Sequence, residues 1–299
     1  MALYAFDGTG NDDRPDTAEG GFDTNVLHFF RAYQDPDKDL QETTDRGSLY
    51  LKGIGRRAET HTGAVVSQAF GLGGHLRIGV MMDRLALNCD AGDTTIDIIG
   101  FSRGAALAIS FANEVARKLP TLSIRFIGVW DIVGEFGLPG RFVNAGHDLH
   151  LPPNARRVYH AMALDEARSV FHLTRLCGTG REEDERLVEV WFRGVHSDIG
   201  GGNGNFGLNW VSLDWMYAAA IREGLPVAPS AVIANQVHES LEMDIREHRH
   251  AIGPKRHILA ADLLHTSVVL DASIRHHQRN DPPVPLRRAT NEGHILPAV

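Results

Sequence analysis

The chain is nearly free of cysteine: Cys89 and Cys177 are the only two in 299 residues, and they stand far apart. That excludes a disulfide scaffold and the clustered thiols of a zinc site, and both are read as buried thiols. Basic residues are in deficit, 30 Lys and Arg against 38 Asp and Glu, for a formal charge of -8. No Lys/Arg-rich run interrupts the deficit, so no surface is set aside for a phosphate backbone and nucleic acid is not an expected partner. Long apolar runs are absent too, none approaching the about 18 to 20 residues that span a bilayer. The start, MALYAFDGTGNDD, lacks a basic segment followed by an apolar one. The expectation is therefore a cytoplasmic protein, or one exported without a cleavable signal peptide, for which peripheral membrane contact stays open. There is no internal repeat.

What is present is an alternation of short apolar runs and amphipathic stretches. Residues 2–6, 48–53, 95–101, 124–130 and 187–195 read as strands, and 25–33, 74–87, 103–119, 153–165 and 213–222 carry apolar residues at helical spacing. This order predicts an α/β fold, a mainly parallel sheet flanked by helices, built as a single domain over 1–299. Two segments, the Asp- and Gly-rich 7–23 and the Gly/Pro/His-rich 134–153, read as loops. The second, with Phe136, Leu138, Phe142 and Leu149, is a candidate lid or cap, or an ordinary connection. The stretch 281–299, with its PPVP, reads as an irregular tail. In open α/β sheets ligands bind beyond the carboxyl ends of strands, so the loops that follow strands are where chemistry is sought.

The run IDIIGFSRGAALAISFA sets a strand, the pentapeptide Gly100-Phe101-Ser102-Arg103-Gly104 and a small-residue helix in direct succession. This is the context of a nucleophile elbow, in which a serine is lifted out on a sharp strand-to-helix turn and flanking glycines let neighbouring backbones approach. Ser102 is the candidate nucleophile of an α/β-hydrolase. A seryl hydroxyl needs a base, and of 16 histidines His196 alone ends an apolar strand and opens a glycine-rich loop, in VEVWFRGVHSDIGGG. A structural histidine is the competing reading. The strand IRFIGVWDIVG ends in Asp131, a carboxylate that must meet a positive or hydrogen-bonding partner if buried. His196 would be that partner, and the order Ser102, Asp131, His196 is the chain order of α/β-hydrolase triads. Asp198 is the alternative acid. Oxyanion donors are expected from the amide of Arg103 and from Gly8 or Thr9 in the loop after the first strand.

Three rival readings follow from the same residues. A Ser102–Asp198 dyad of patatin-like type would dispense with histidine. A catalytically silent binding module would keep the fold and bind a partner. A metal-assisted hydrolase would use Asp7, Asp12, His196 and Asp198. Phosphatase chemistry of the DxDGT kind is set aside, because Ala5 stands where that motif needs its aspartate. The triad reading expects no metal and no cofactor.

Taken together, FDGTGND, TNV, YLKGIG, GLGG, GFSRGAA, FIGVWDIVG, DEARSVF, EVWFRGVHSDIGGG and LDWM follow one another over about residues 2–222. In that order they resemble the α/β-hydrolase domain family that includes the type VI secretion lipase effectors, the Tle-one class of phospholipases. The resemblance implies a Ser-Asp-His triad at Ser102, Asp131 and His196, acting on glycerophospholipid or related esters without a cofactor. A lipid or small-molecule ester is thus the expected substrate. Gly10 and Ile132 depart from the family pattern, which often has an aromatic and a threonine there. The secreted effectors also carry a large membrane-associating module, for which this chain leaves no room.

Overall fold

A computed structural model describes residues 1–8, 22–40, 42, 44–53, 63–134, 147–177, 184–204, 206–238, 253–270 and 279–298, with the side chains of 63–72 and 206 outside it. Among the described residues nine strands form one sheet: β1 (Ala2–Phe6), β2 (Leu49–Leu51), β3 (Ile96–Phe101), β4 (Ile124–Trp130), β5 (Val158–Ala163), β6 (Leu187–Phe192), β7 (Leu263–His265), β8 (Arg287–Ala289) and β9 (Ile295–Leu296). Their spatial order is β2-β1-β3-β4-β5-β6-β7-β8-β9. Every pairing is parallel except β8 with β9.

Six helices accompany the sheet among the described residues: α1 (Asn25–Ala32), α2 (Gly63–Asp90), α3 (Ser102–Lys118), α4 (His196–Gly200), α5 (Phe206–Arg222) and α6 (Pro229–His238). Thr24 starts α1 by accepting the Leu27 N–H on its side chain, which satisfies one of the first-turn donors. Alternation along the buried strands sorts the core onto two faces. Leu3 and Ala5 of β1 join Phe29, Phe30, Trp215 and Tyr217 from α1 and α5. Ala2, Tyr4 and Phe6 join Met81, Leu85, Ala105 and Phe111 from α2 and α3. Asp97, the one charged residue of β3, is tolerated because it accepts from Tyr33 Oη at 2.8 Å and pairs with Arg125 at 2.5 Å.

Three expectations are corrected. Residues 153–165 hold no helix but β5, whose six residues VYHAMA are all buried between β4 and β6. A strand covered on both faces shows no polar alternation, so its apolar run mimics a helical stripe. The stretch 281–299, expected to be irregular, contributes β8 and β9. Cys89 and Cys177 are half-buried rather than buried. Most of the two long loops, residues 9–21 and 135–146, lies outside the described residues, and with them the candidate lid.

The topology places the chemistry. The chain leaves β1 toward β2 on one side and returns to β3 on the other, so the connections after β1 and β3 diverge and open a crevice between them. Phe6 pairs with Gly100 across that switch point, one residue short of the end of β3.

Candidate active site

Ser102 is the first residue of α3 and carries a positive φ of 58°, the strained conformation that turns a strand sharply into a helix. Glycines make the turn possible. A Cβ on Gly100 would lie 2.8 Å from Ala105 Cα, and one on Gly104 would overlap the Phe6 and Asp7 carbonyls. The first turn of α3 therefore rests directly on the end of β1. Its amides, including that of Arg103, point out of the helix N-terminus beside the serine.

Asp131 follows β4 immediately, with φ 44°. His196 follows β6 and opens α4. The three side chains, 29 and 65 residues apart along the chain by their numbering, meet: His196 Nε2 lies 2.9 Å from Ser102 Oγ, and His196 Nδ1 lies 2.6 Å from Asp131 Oδ2. A carboxylate is acceptor-only, so the Nδ1 nitrogen carries the proton and Nε2 is left as the acceptor facing the serine hydroxyl. The imidazole is buried and held between the rings of Phe101 and Phe171, at centroid distances of 4.6 and 4.5 Å. Burial lowers its pKa below 6.5, against the opposing pull of Asp131 and Glu166.

Asp131 is wholly buried, and burial alone would raise its pKa. Arg256 and His196 outweigh that and hold it well below the usual carboxylate range. Its Oδ1 accepts from the Ala163 amide at 2.8 Å and from Arg256 Nη1 at 2.5 Å, and Oδ2 accepts from Arg256 Nη2 at 2.9 Å. His160, itself anchored to Glu189 at 2.9 Å, accepts the Ile132 N–H at 3.3 Å and so steadies the loop behind the acid. Thus Ile132, where the family pattern favours threonine, is used through its backbone.

Other expected residues fall elsewhere. Asp198 is spent on its own helix start: Oδ2 accepts the Val195 amide at 2.9 Å and Oδ1 accepts from Asn203 Nδ2 at 2.7 Å. The Gly8 amide, an expected oxyanion donor, here donates to the neighbouring Asp7 Oδ1 at 2.6 Å. Thr9 and Asp12 lie outside the described residues. Asp7 also accepts from Thr24 Oγ1 at 2.7 Å and from Tyr50 Oη, and burial pushes its pKa up to about 6. Its carboxylate is tied to the start of α1 and to β2. Among the described residues no three His, Cys, Asp or Glu side chains are arranged to hold a metal.

Sequence reasoning missed Arg256, Glu166 and the two phenylalanines. Glu166 accepts the His196 amide at 3.1 Å and pairs with Arg168 at 2.6 Å, whose guanidinium lies 4.1 Å over Phe171. A cavity of about 380 Å³ is lined by Phe171, Leu173, Trp191, Leu259, Arg168 and Arg256. A second cavity of about 490 Å³ lies against Ser110, Asn113 and Arg117, further along α3 and so at least two helical turns from the serine.

A parallel sheet whose switch point presents a serine on a strand–helix elbow, with carboxylate and imidazole on the ends of later strands, defines an α/β-hydrolase-like fold. More narrowly, the chain belongs to the type VI secretion system phospholipase effector Tle1-like catalytic-domain family, whose model matches residues 3–118 and 110–219. It is similar in fold to an uncharacterised protein from Pseudomonas aeruginosa, with a TM-score of 0.55, 21% identity, and coverage of 81% of this chain and 48% of that one. A second solved structure, the Tle1 effector bound to the VgrG spike of the Type 6 secretion system, gives a TM-score of 0.48 at 23% identity, covering 69% of this chain and 51% of that one. The chain thus spans about half the length of both. No curated protein matches the sequence. No helix among the described residues is long and apolar enough to cross a membrane.

Proposed function

We propose that the chain hydrolyses carboxylic ester bonds of phospholipids or related amphiphilic esters through an acyl-enzyme on Ser102. The observation that carries the reading is the continuous line of contacts from Asp131 Oδ2 through His196 to Ser102 Oγ, at 2.6 and 2.9 Å. Family membership supports a phospholipase-type substrate and an effector delivered by a type VI secretion system.

In the reaction, Ser102 Oγ attacks the acyl carbon while its proton passes to His196 Nε2. The resulting oxyanion meets the amides at the start of α3, and the loop after β1 is the source of a further donor. Collapse of the tetrahedral intermediate breaks the ester C–O bond, and the departing alcohol takes the proton from Nε2. Water then gives a proton to Nε2 and its oxygen to the acyl carbon, and the acid leaves as Oγ is reprotonated. Asp131 holds the tautomer and offsets the imidazolium charge at each transfer. The apolar wall of Phe171, Leu173, Trp191 and Leu259 suits the chain of an amphiphilic substrate.

A panel of p-nitrophenyl esters and phospholipid vesicles, run with wild type and Ser102→Ala, tests this together with fluorophosphonate labelling. Turnover and labelling that both vanish in the variant are expected. Undiminished hydrolysis by Ser102→Ala would remove the serine from the mechanism.

A further inference from the structure

We propose that Arg256 is a positioning residue for this reaction, clamping both oxygens of Asp131 so that one stays in line with His196 Nδ1 while the charge of the carboxylate is offset. The inference rests on the triad reading above and assigns a role to a residue beyond the segment matched by the family model.

A carboxylate has about four lone-pair sites. At Asp131 four donors occupy them: the Ala163 amide and Arg256 Nη1 on Oδ1, His196 Nδ1 and Arg256 Nη2 on Oδ2. The side chain cannot rotate without breaking two of these at once. The guanidinium is equally constrained, because Nη1 also donates to the Ala163 carbonyl at 2.8 Å and Nη2 to the Phe171 carbonyl at 2.9 Å. Phe171 is the residue whose ring packs on the imidazole. One planar fork therefore fixes the acid and the backbone of the aromatic that walls the base, a task that the compact ammonium of lysine cannot perform. The Arg256 side chain is itself 7% exposed, so its charge acts on Asp131 with little screening by solvent.

The charges around the base are balanced in pairs. Asp131 faces the ring from the end of β4, with Arg256 behind it, and Glu166 faces it from the loop after β5, with Arg168 behind it. Removing the Arg256 charge leaves Asp131 unopposed, which favours the imidazolium and takes the base out of its reactive form at higher pH. Loss of the fork also frees the carboxylate to swing.

The test uses the full chain, Arg256→Met and Arg256→Lys, with p-nitrophenyl ester hydrolysis followed across pH. In the Met variant kcat is expected to fall on the order of 10- to 100-fold with KM within about threefold, and the acidic limb of kcat to move up by about one pH unit. The Lys variant is expected to restore the limb but not kcat. Both variants within about twofold of wild type in kcat and in limb position would overturn the role. Should the Met variant fail to fold, Arg256→Lys decides alone, and wild-type kcat in it overturns the requirement for the fork. Fluorophosphonate labelling separates the two levels. An unlabelled wild type sinks the triad itself, whereas a labelled wild type matched in rate by Arg256→Met sinks only the clamp.

Discussion

Replacing Asp131 by Asn changes one oxygen to an amide nitrogen and removes one charge, at a site with no exposure. Two consequences follow from the contacts. If the amide nitrogen faces the imidazole, it donates to Nδ1, which drives the ring proton to Nε2 and leaves no acceptor for Ser102. In related triads such a tautomer error lowers kcat by about 10⁴. If instead the nitrogen faces Arg256, two donors meet and the guanidinium loses its counter-charge on a side chain only 7% exposed. Breaking a buried pair on one side costs about 3 to 5 kcal/mol, or about 5 to 8 °C in Tm for a chain of this size. The sign with pH is determined by the depressed pKa of Asp131. Its stabilisation is present above the unfolded carboxylate value of about 3.9 and is lost as pH falls through the folded value, so the Tm gap between wild type and variant is open at pH 7 and closes in acid. Ester turnover and calorimetric scans at several pH values measure both effects. An Asp131→Asn protein with kcat within tenfold of wild type and an unchanged Tm at pH 7 refutes the reasoning.

Two further outcomes are expected. Since burial keeps the pKa of His196 below 6.5, the acidic limb of kcat/KM in wild type is expected to have its midpoint below that value, and a midpoint above about 7 would contradict it. Gly200→Ala places a Cβ inside the ring of Phe101, one of the two aromatics against the imidazole. A loss of about 1 to 3 kcal/mol in stability is expected from denaturant titration, with a fall in turnover in the protein that remains folded; unchanged turnover would show that Phe101 does not hold the ring.

The residues that depend on local pattern were legible in the sequence. Ser102 stands in a pentapeptide whose glycines serve the close approach of β1 to α3, and Asp131 and His196 each follow an apolar strand, so the parallel sheet gathers them at one edge. What failed to show was whatever depends on the assembled fold. The strand β5 is covered on both faces and so loses the alternation that would have marked it. The charged Arg287 and Arg288 of β8 hide a strand that forms through its pairing with β7 and β9. Arg256 lies in GPKRHILAAD, where no motif marks it, and His196 alone satisfies the demand of a buried carboxylate for a partner as far as the sequence pattern reaches. The redirected Gly8 amide depends on the rotamer of its own neighbour, which no pattern of residue types reports.

Since the counter-ion of Asp131 arrives from position 256, trimming the protein to its recognisable stretch would preserve every signature residue and still strip the acid of its cation. Asn280 would go as well, and with it a donor to Asp165 and to the Leu164 carbonyl. A fragment ending near residue 222 would thus look complete in an alignment and yet harbour a buried anion without its guanidinium counter-charge. The boundary of similarity is not the boundary of the working unit.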